Sequence, residues 1–315
     1  MKRLFRYLLR YRAGEMVQFL RNERRGPKAC DADLKEKTVV LSGATSGIGL
    51  ETARLFASRR ARLILLNRDP AKSAALEAEL RKAFAAEVRT VGVDFSSLQS
   101  VRECARQLLE LADPIDVLIH NAGVYHTELT MTQDGIETVF QVNHLAPFLL
   151  NHLLMPRLKR ENRARILHVN SEGHRFALTG VHTEDLAYRN HRYTGLKSYG
   201  AAKTAQLLTL QRFRDAFADG AVTVNAMHPG NVVSNIGNQN GPAYRAMKER
   251  WILPSAKDPG ISAQALLYLA ASPDLEGVSG KFFNLTAEEI PAPHARDLSA
   301  IGPVWNASLA LCGLA

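Results

Sequence analysis

The stretch Ser198-Tyr199-Gly200-Ala201-Ala202-Lys203 places a phenol and an ammonium four residues apart inside what reads as a long amphipathic helix. At that spacing both side chains leave the same helix face, one turn apart. A lysine ammonium beneath a tyrosine hydroxyl favours the phenolate and lowers a pKa of about 10, which makes the phenol a usable proton donor and acceptor. Tyr-x-x-x-Lys is a cheap pattern and occurs three times: Tyr193 with Lys197, Tyr199 with Lys203, and Tyr244 with Lys248. The first includes Gly195 and reads as the loop before the helix; the third follows the last crevice strand. Only Tyr199 begins an uninterrupted helical run, Ala201 to Phe217. Tyr199 and Lys203 are therefore expected to catalyse, with Tyr193 and Tyr244 at most lining a pocket.

A second constellation is Ser42-Gly43-Ala44-Thr45-Ser46-Gly47-Ile48-Gly49, between a buried strand and a helix beginning near Gly47. Glycines there let the backbone approach a pyrophosphate, which the N–H groups and positive end of the helix bind. The spacing is Gly-x-x-x-Gly-x-Gly rather than Gly-x-Gly-x-x-Gly. The next strand ends in Asn67-Arg68, where an acid would accept a ribose 2′-hydroxyl. Asn67 cannot play that part and Arg68 can pair with a 2′-phosphate, so NADP(H) is preferred and NAD(H) remains open, with Asp69 next door as the counter-argument. Asp94 after the third strand and Asn121-Ala122-Gly123 after the fourth stand where strand ends line the crevice of such a sheet.

These residues need a frame, and from Lys37 short β-branched runs alternate with helical patterns. Strands are expected at Thr38–Ser42, Arg62–Asn67, Arg89–Asp94, Ile115–His120, Arg165–Asn170, Val222–His228 and Lys281–Asn284. The reading is an α/β protein: one Rossmann-type, doubly wound parallel sheet of about seven strands with helices on both faces. Residues 31–315 form that domain and residues 1–30 a basic appendage. Of 40 basic and 31 acidic residues, nine and two fall in the first 30, a local charge of +7, so the remainder carries only +2 of the total +9. This uneven balance argues against nucleic acid as a partner.

Residues 2–20 read as one amphipathic helix with Leu4, Tyr7, Leu8 and Tyr11 clustered against Lys2, Arg3, Arg6 and Arg10. Two roles stay open: peripheral contact with an anionic membrane, or packing on its own domain or on a dimer mate in a homo-oligomer. Three scattered cysteines and no visible signal peptide suggest a cytoplasmic setting. His174, His182 and His191 lie in one loop without paired ligand spacing, and no metal is expected.

Taken in order, Ser42–Gly49, Asn121-Ala122-Gly123, Ser171, Tyr199-x-x-x-Lys203 and His228-Pro229-Gly230 resemble a short-chain dehydrogenase/reductase, from about Lys37 to Asn284. Thr132–Glu137, Val142-Asn143-His144-Leu145 and Ser171–Phe176 resemble its retinol dehydrogenase and WW-domain oxidoreductase branch, here without WW domains. The resemblance implies a catalytic set of Tyr199, Lys203, Ser171 and Asn143, the last in a helical stretch expected from Asp134 to Lys159 and holding a relay water. It implies cofactor contacts at Gly43, Thr45, Ser46, Gly47, Ile48, Gly49, Asn67, Arg68, Asp94, Phe95, Asn121, Ala122, Gly123, Lys203, Pro229, Gly230 and Val232. Departures from the pattern are Ser42 for Thr, His120, Asn170 and Asn231. The expected activity is NADP(H)-dependent interconversion of a lipophilic alcohol and its carbonyl; the alternative is an NADP(H)-binding regulator with little turnover. Asn231–Pro254 reads as a lid or an ordinary surface helix, and the apolar tail 303–311 as a docking segment.

Overall fold

The computed structural model describes residues 2–251 and 253–315. Two helices, α1 (Lys2–Leu8) and α2 (Ala13–Asn22), precede an alternating run. That run is β1 (Thr38–Ser42), α3 (Gly47–Ser58), β2 (Arg62–Asn67), α4 (Pro70–Phe84), β3 (Val88–Gly92), α5 (Leu98–Leu109), β4 (Val117–His120), α6 (Thr138–Phe140), α7 (Ala146–Glu161), β5 (Arg165–Val169), α8 (Gly195–Ala216), β6 (Thr223–His228), α9 (Gly241–Trp251), α10 (Gly260–Ala271), β7 (Phe282–Asn284), β8 (Ala287–Glu288) and α11 (Leu298–Leu311). The strands form one sheet in the order 3-2-1-4-5-6-7-8, parallel except for β8. The doubly wound reading holds, with eight strands in place of about seven. The eighth has two residues, too short to leave a period in the sequence.

The strands are mostly apolar because both faces are covered, with the edge strand β3 exposing Arg89. Val39, Leu41, Leu63 and Leu65 pack with Phe56, Leu76 and Leu266 of α3, α4 and α10. Their alternating neighbours Val40, Ile64 and Leu66 join Val101, Phe148, Phe213 and Val304 of α5, α7, α8 and α11. Helix starts are set by side-chain caps: Asp69 accepts from the Lys72 N–H, Ser97 from Ser100, Thr194 from Lys197 and Asp297 from Ser299. The Thr194 cap starts α8 at Gly195, ahead of the expected Ala201, and brings Lys197 into its first turn.

Three expectations are corrected. The single helix over residues 2–20 is two helices broken at 9–12, which lets both meet the domain: Tyr7 is buried with its hydroxyl on Asp297 at 3.0 Å, and Gln18 bonds Glu288 O at 3.2 Å. Leu8, expected beside Tyr7, is exposed. The helix expected from Asp134 to Lys159 contains a π-turn, Gln141–Leu145, between α6 and α7. The apolar tail does dock: Trp305 of α11 lies edge-on to Phe148 and Phe213 at 4.9 and 5.0 Å. Among the described residues no helix is long and apolar enough to cross a membrane.

Phe148 is 2% exposed at the centre of this layer. Phe148→Ala is expected to cost about 3–5 kcal/mol, read as a lower urea midpoint at unchanged slope.

Candidate active site

β1 and β4 are neighbours in the sheet, yet α3 leaves β1 on one face and α7 follows β4 on the other. Their C-terminal loops splay apart, and the gap is the crevice. Short contacts knit its floor: Ser42 Oγ accepts from the N–H groups of Asn121 and Ala122 at 2.9 and 3.0 Å, while Asn121 Nδ2 donates to Ser42 O and Gly43 O at 2.9 and 3.1 Å. The departure to serine at 42 therefore keeps a working hydroxyl. Gly43 has φ +67°, and a Cβ there would lie 2.9 Å from Ala122 Cα. A Cβ on Gly49 would overlap Gly43 O and come within 2.6 Å of Asn121 Nδ2. Gly49 thus acts by close packing behind the turn and does not line the cleft.

The cleft has a volume of about 1250 Å³ and runs from β2 to α8. Gly43, Thr45, Ser46, Gly47, Ile48, Asn67, Arg68, Asp94, Phe95, Asn121, Ala122, Gly123, Ser171, Tyr199, Lys203, Pro229, Gly230 and Val232 all line it. At the β2 end Asn67 Oδ1 accepts from Ala44 N at 2.8 Å, and its buried Nδ2 has no partner. Asp69 faces the α4 cap and pairs with Lys72 at 3.5 Å, so it does not oppose Arg68, which is exposed beside Lys72 on the cleft wall. Asp94 is bonded by Ser96 N and Oγ at 2.9 and 2.7 Å. A glycine-floored trough, an orphaned buried amide and two cations at one end fit a phosphorylated dinucleotide.

At the other end Lys203 Nζ donates to Val169 O at 2.8 Å and lies 5.7 Å from the Tyr199 ring centre. Tyr199 and Ser171 both line this end of the cleft, and Ser171 Oγ accepts from Gly173 N at 2.9 Å. Asn170, a departure from the pattern, braces this corner: its Nδ2 donates to Lys203 O and Gln206 Oε1 at 3.0 and 2.8 Å. Burial pushes Tyr199 up to about 12 and Lys203 down to about 7. The direction expected for the tyrosine is reversed here, because desolvation acts on both groups and weakens the ammonium that was to stabilise the phenolate.

Asn143 is fully buried in the π-turn behind the cleft and does not line it. Its carboxamide accepts from Val124 N at 2.8 Å and donates to Val124 O at 2.9 Å, while its backbone carbonyl accepts from Gln206 Nε2. Such π-turns concentrate at functional sites. The other two Tyr-x-x-x-Lys pairs are otherwise engaged. Tyr193 bonds His126 O and Glu137 away from the cleft, and Lys248 donates to Ser234 O, Ile236 O and Asn238 Oδ1. Tyr244 does line the cleft, stacked at 5.5 Å on Tyr125, which meets Tyr199 edge-on at 5.8 Å. Tyr125 and Lys72 were missed by sequence reasoning; for Lys72 the signal was there, a second cation four positions past Arg68.

The family described as short chain dehydrogenase matches residues 37–183. The chain is similar to retinol dehydrogenase 13 of Mus musculus, 34% identical over 289 residues that make up 90% of this chain and 86% of that protein. It is similar to the WW domain-containing oxidoreductase of Pongo abelii, 33% identical over 282 residues, 88% of this chain and 68% of that one. A solved structure of an uncharacterized Mycobacterium paratuberculosis protein superposes with a TM-score of 0.71 at 28% identity, covering 92% of this chain and 98% of that one. The branch read from the motifs is the one to which these relatives point.

A lysine held at about 7 binds fewer protons folded than unfolded between pH 7 and about 10. Stability from this residue therefore rises with pH across that window. Urea midpoints measured from pH 7 to 9.5 should rise more steeply in the wild type than in Lys203→Met; parallel curves would refute the assignment.

Proposed function

Since the chain belongs to the short-chain dehydrogenase/reductase family of oxidoreductases, we propose that it interconverts a lipophilic alcohol and its carbonyl compound with NADP(H). The observation that carries this reading is the convergence of Tyr199, Ser171 and Lys203 on one wall of a dinucleotide-sized cleft. The nicotinamide cofactor supplies or accepts the hydride.

Tyr199 gives its phenolic proton to the carbonyl oxygen in reduction and takes one from the alcohol in oxidation. With its pKa held up near 12, it is protonated and ready to donate at neutral pH. Ser171 donates a hydrogen bond to the same oxygen and fixes it within reach of the phenol. Lys203 in its ammonium form stabilises the phenolate left behind. The Asn143 carbonyl, with one lone pair on Gln206, has another for a relay water that returns a proton from solvent.

Arg68 and Lys72 support the preference for NADP(H): Arg68 has no carboxylate partner among the described residues, and Asp69 is taken up by its cap. Tyr244, Ile236 and Leu253 on the cleft wall, with Tyr125 packed against Tyr244, and the name of a relative that is a retinol dehydrogenase, support a lipophilic substrate. A peripheral membrane contact is supported by the exposed Phe5, Leu8, Leu9, Val17 and Leu20 of the N-terminal segment.

Purified protein should oxidise NADPH with a panel of aldehydes, ketones and retinoids. Tyr199→Phe is expected to lose about 10²–10⁴-fold in kcat while still binding cofactor, and full activity in this variant would end the proposal. Tyr193→Phe and Tyr244→Phe should leave kcat largely intact. Arg68→Ala should weaken NADPH by about tenfold or more and leave NADH unchanged; equal effects on both would remove the NADP(H) preference.

A further inference from the structure

The mechanism leaves unused a buried ionic cluster directly behind the Ser171 turn. Arg175 lies in the 3₁₀ turn Glu172–Phe176, which begins at the residue after Ser171. Its guanidinium forks between two carboxylates, Glu172 and, at 2.8 Å, Glu289, whose side chain is wholly buried. From α2, Asn22 Nδ2 donates to Glu289 at 3.0 Å, and the Phe19 ring faces the guanidinium with its centre 5.1 Å away. Glu23, just past α2, accepts from Asn284 Nδ2 at 2.8 Å and meets His228 Nε2 at 3.5 Å, while His228 Nδ1 accepts from the Glu172 N–H at 3.3 Å. The turn is thus tied to the N-terminal segment through both a side chain and a backbone group.

On its inner side the same turn has no slack against Tyr199. A Cβ on Gly173 would lie 2.5 Å from Tyr199 Cε1, and one on Gly200 would lie 2.8 Å from Ala177 N. A small shift of the turn must therefore move Ser171 relative to the phenol. Two carboxylates on one guanidinium, one wholly buried and the other largely so with its buried Oε1 left unpartnered, is a costly way to fill space. An apolar plug would stabilise at least as well but would not fix direction, which a planar fork does.

We propose that Arg175 is a positioning residue for the reaction, that it sets Ser171 against Tyr199, and that α2 holds it in place, so that the N-terminal segment is the outer wall of the active site. The inference rests on the catalytic reading of Ser171 and Tyr199. The test measures kcat, KM, the Kd for NADPH and thermal unfolding for Arg175→Met, Arg175→Lys and Asn22→Ala, each alone and combined with Ser171→Ala. Arg175→Met should lower kcat roughly tenfold, with the Kd for NADPH within about twofold of wild type, and Arg175→Lys should recover part of the loss. Asn22→Ala should lower kcat by about two- to fivefold, and on the Ser171→Ala background none of these changes should cost more. Wild-type kcat in folded Arg175→Met, or losses that multiply with that of Ser171→Ala, overturns the proposal. Should Arg175→Met not fold, Asn22→Ala and Phe19→Leu, which keep the ionic fork, decide by the same criteria. Full activity of Ser171→Ala by itself overturns the catalytic reading first, and the inference with it.

Discussion

The crevice exists because β1 and β4, paired in the middle of the sheet, dispatch their chains to opposite faces. The two crossovers, one on each face, leave the two loops nothing to pack on but each other's first residues. The Ser42 hydroxyl and the Asn121 amide close that gap at the bottom, and glycine at 43 and 49 permits the approach. Much of the lining is hung from the strand ends around this opening, Asn67 and Arg68 from β2, Asp94 beyond β3, Asn121 from β4, Ser171 beyond β5 and Pro229 beyond β6, while Tyr199 and Lys203 enter from α8.

Burying Tyr199 and Lys203 in such a crevice changes their protonation. A phenol and an ammonium on one helix face would, in water, help each other to the charged state. Inside the cleft desolvation dominates, raising the proton affinity of Tyr199 and lowering that of Lys203. The result is a phenol held to its neutral form beside a lysine whose charged form is disfavoured.

The basic N-terminal segment is less of an appendage than its charge suggests. Arg6 and Arg10 meet the largely buried Asp297 at 3.0 and 3.6 Å, and Arg296 meets the buried Glu15 of α2. Two of its arginines thus share one carboxylate from far away in sequence, and in the third pair the segment itself supplies the acid. Its apolar residues divide: Tyr7 faces the domain, while Phe5 and Leu9 face solvent.

What the amino-acid order determined by itself was local or periodic. The seven longer strands and the glycine turn follow from β-branched runs and short-range spacing, and the order of motifs placed Tyr199 and most of the residues that line the cleft. The two-residue β8, the break between α1 and α2 and the π-turn at Asn143 did not, because none carries a period and each is imposed by what it packs against. Only the tertiary structure decided that Glu289, Asn22 and Arg175 meet, that Lys248 serves the loop over the cleft rather than the chemistry, and that burial reverses the pKa of the tyrosine. Contacts between residues a hundred or more positions apart, and the dielectric they create, depend on three-dimensional proximity, to which spacing along the chain is blind.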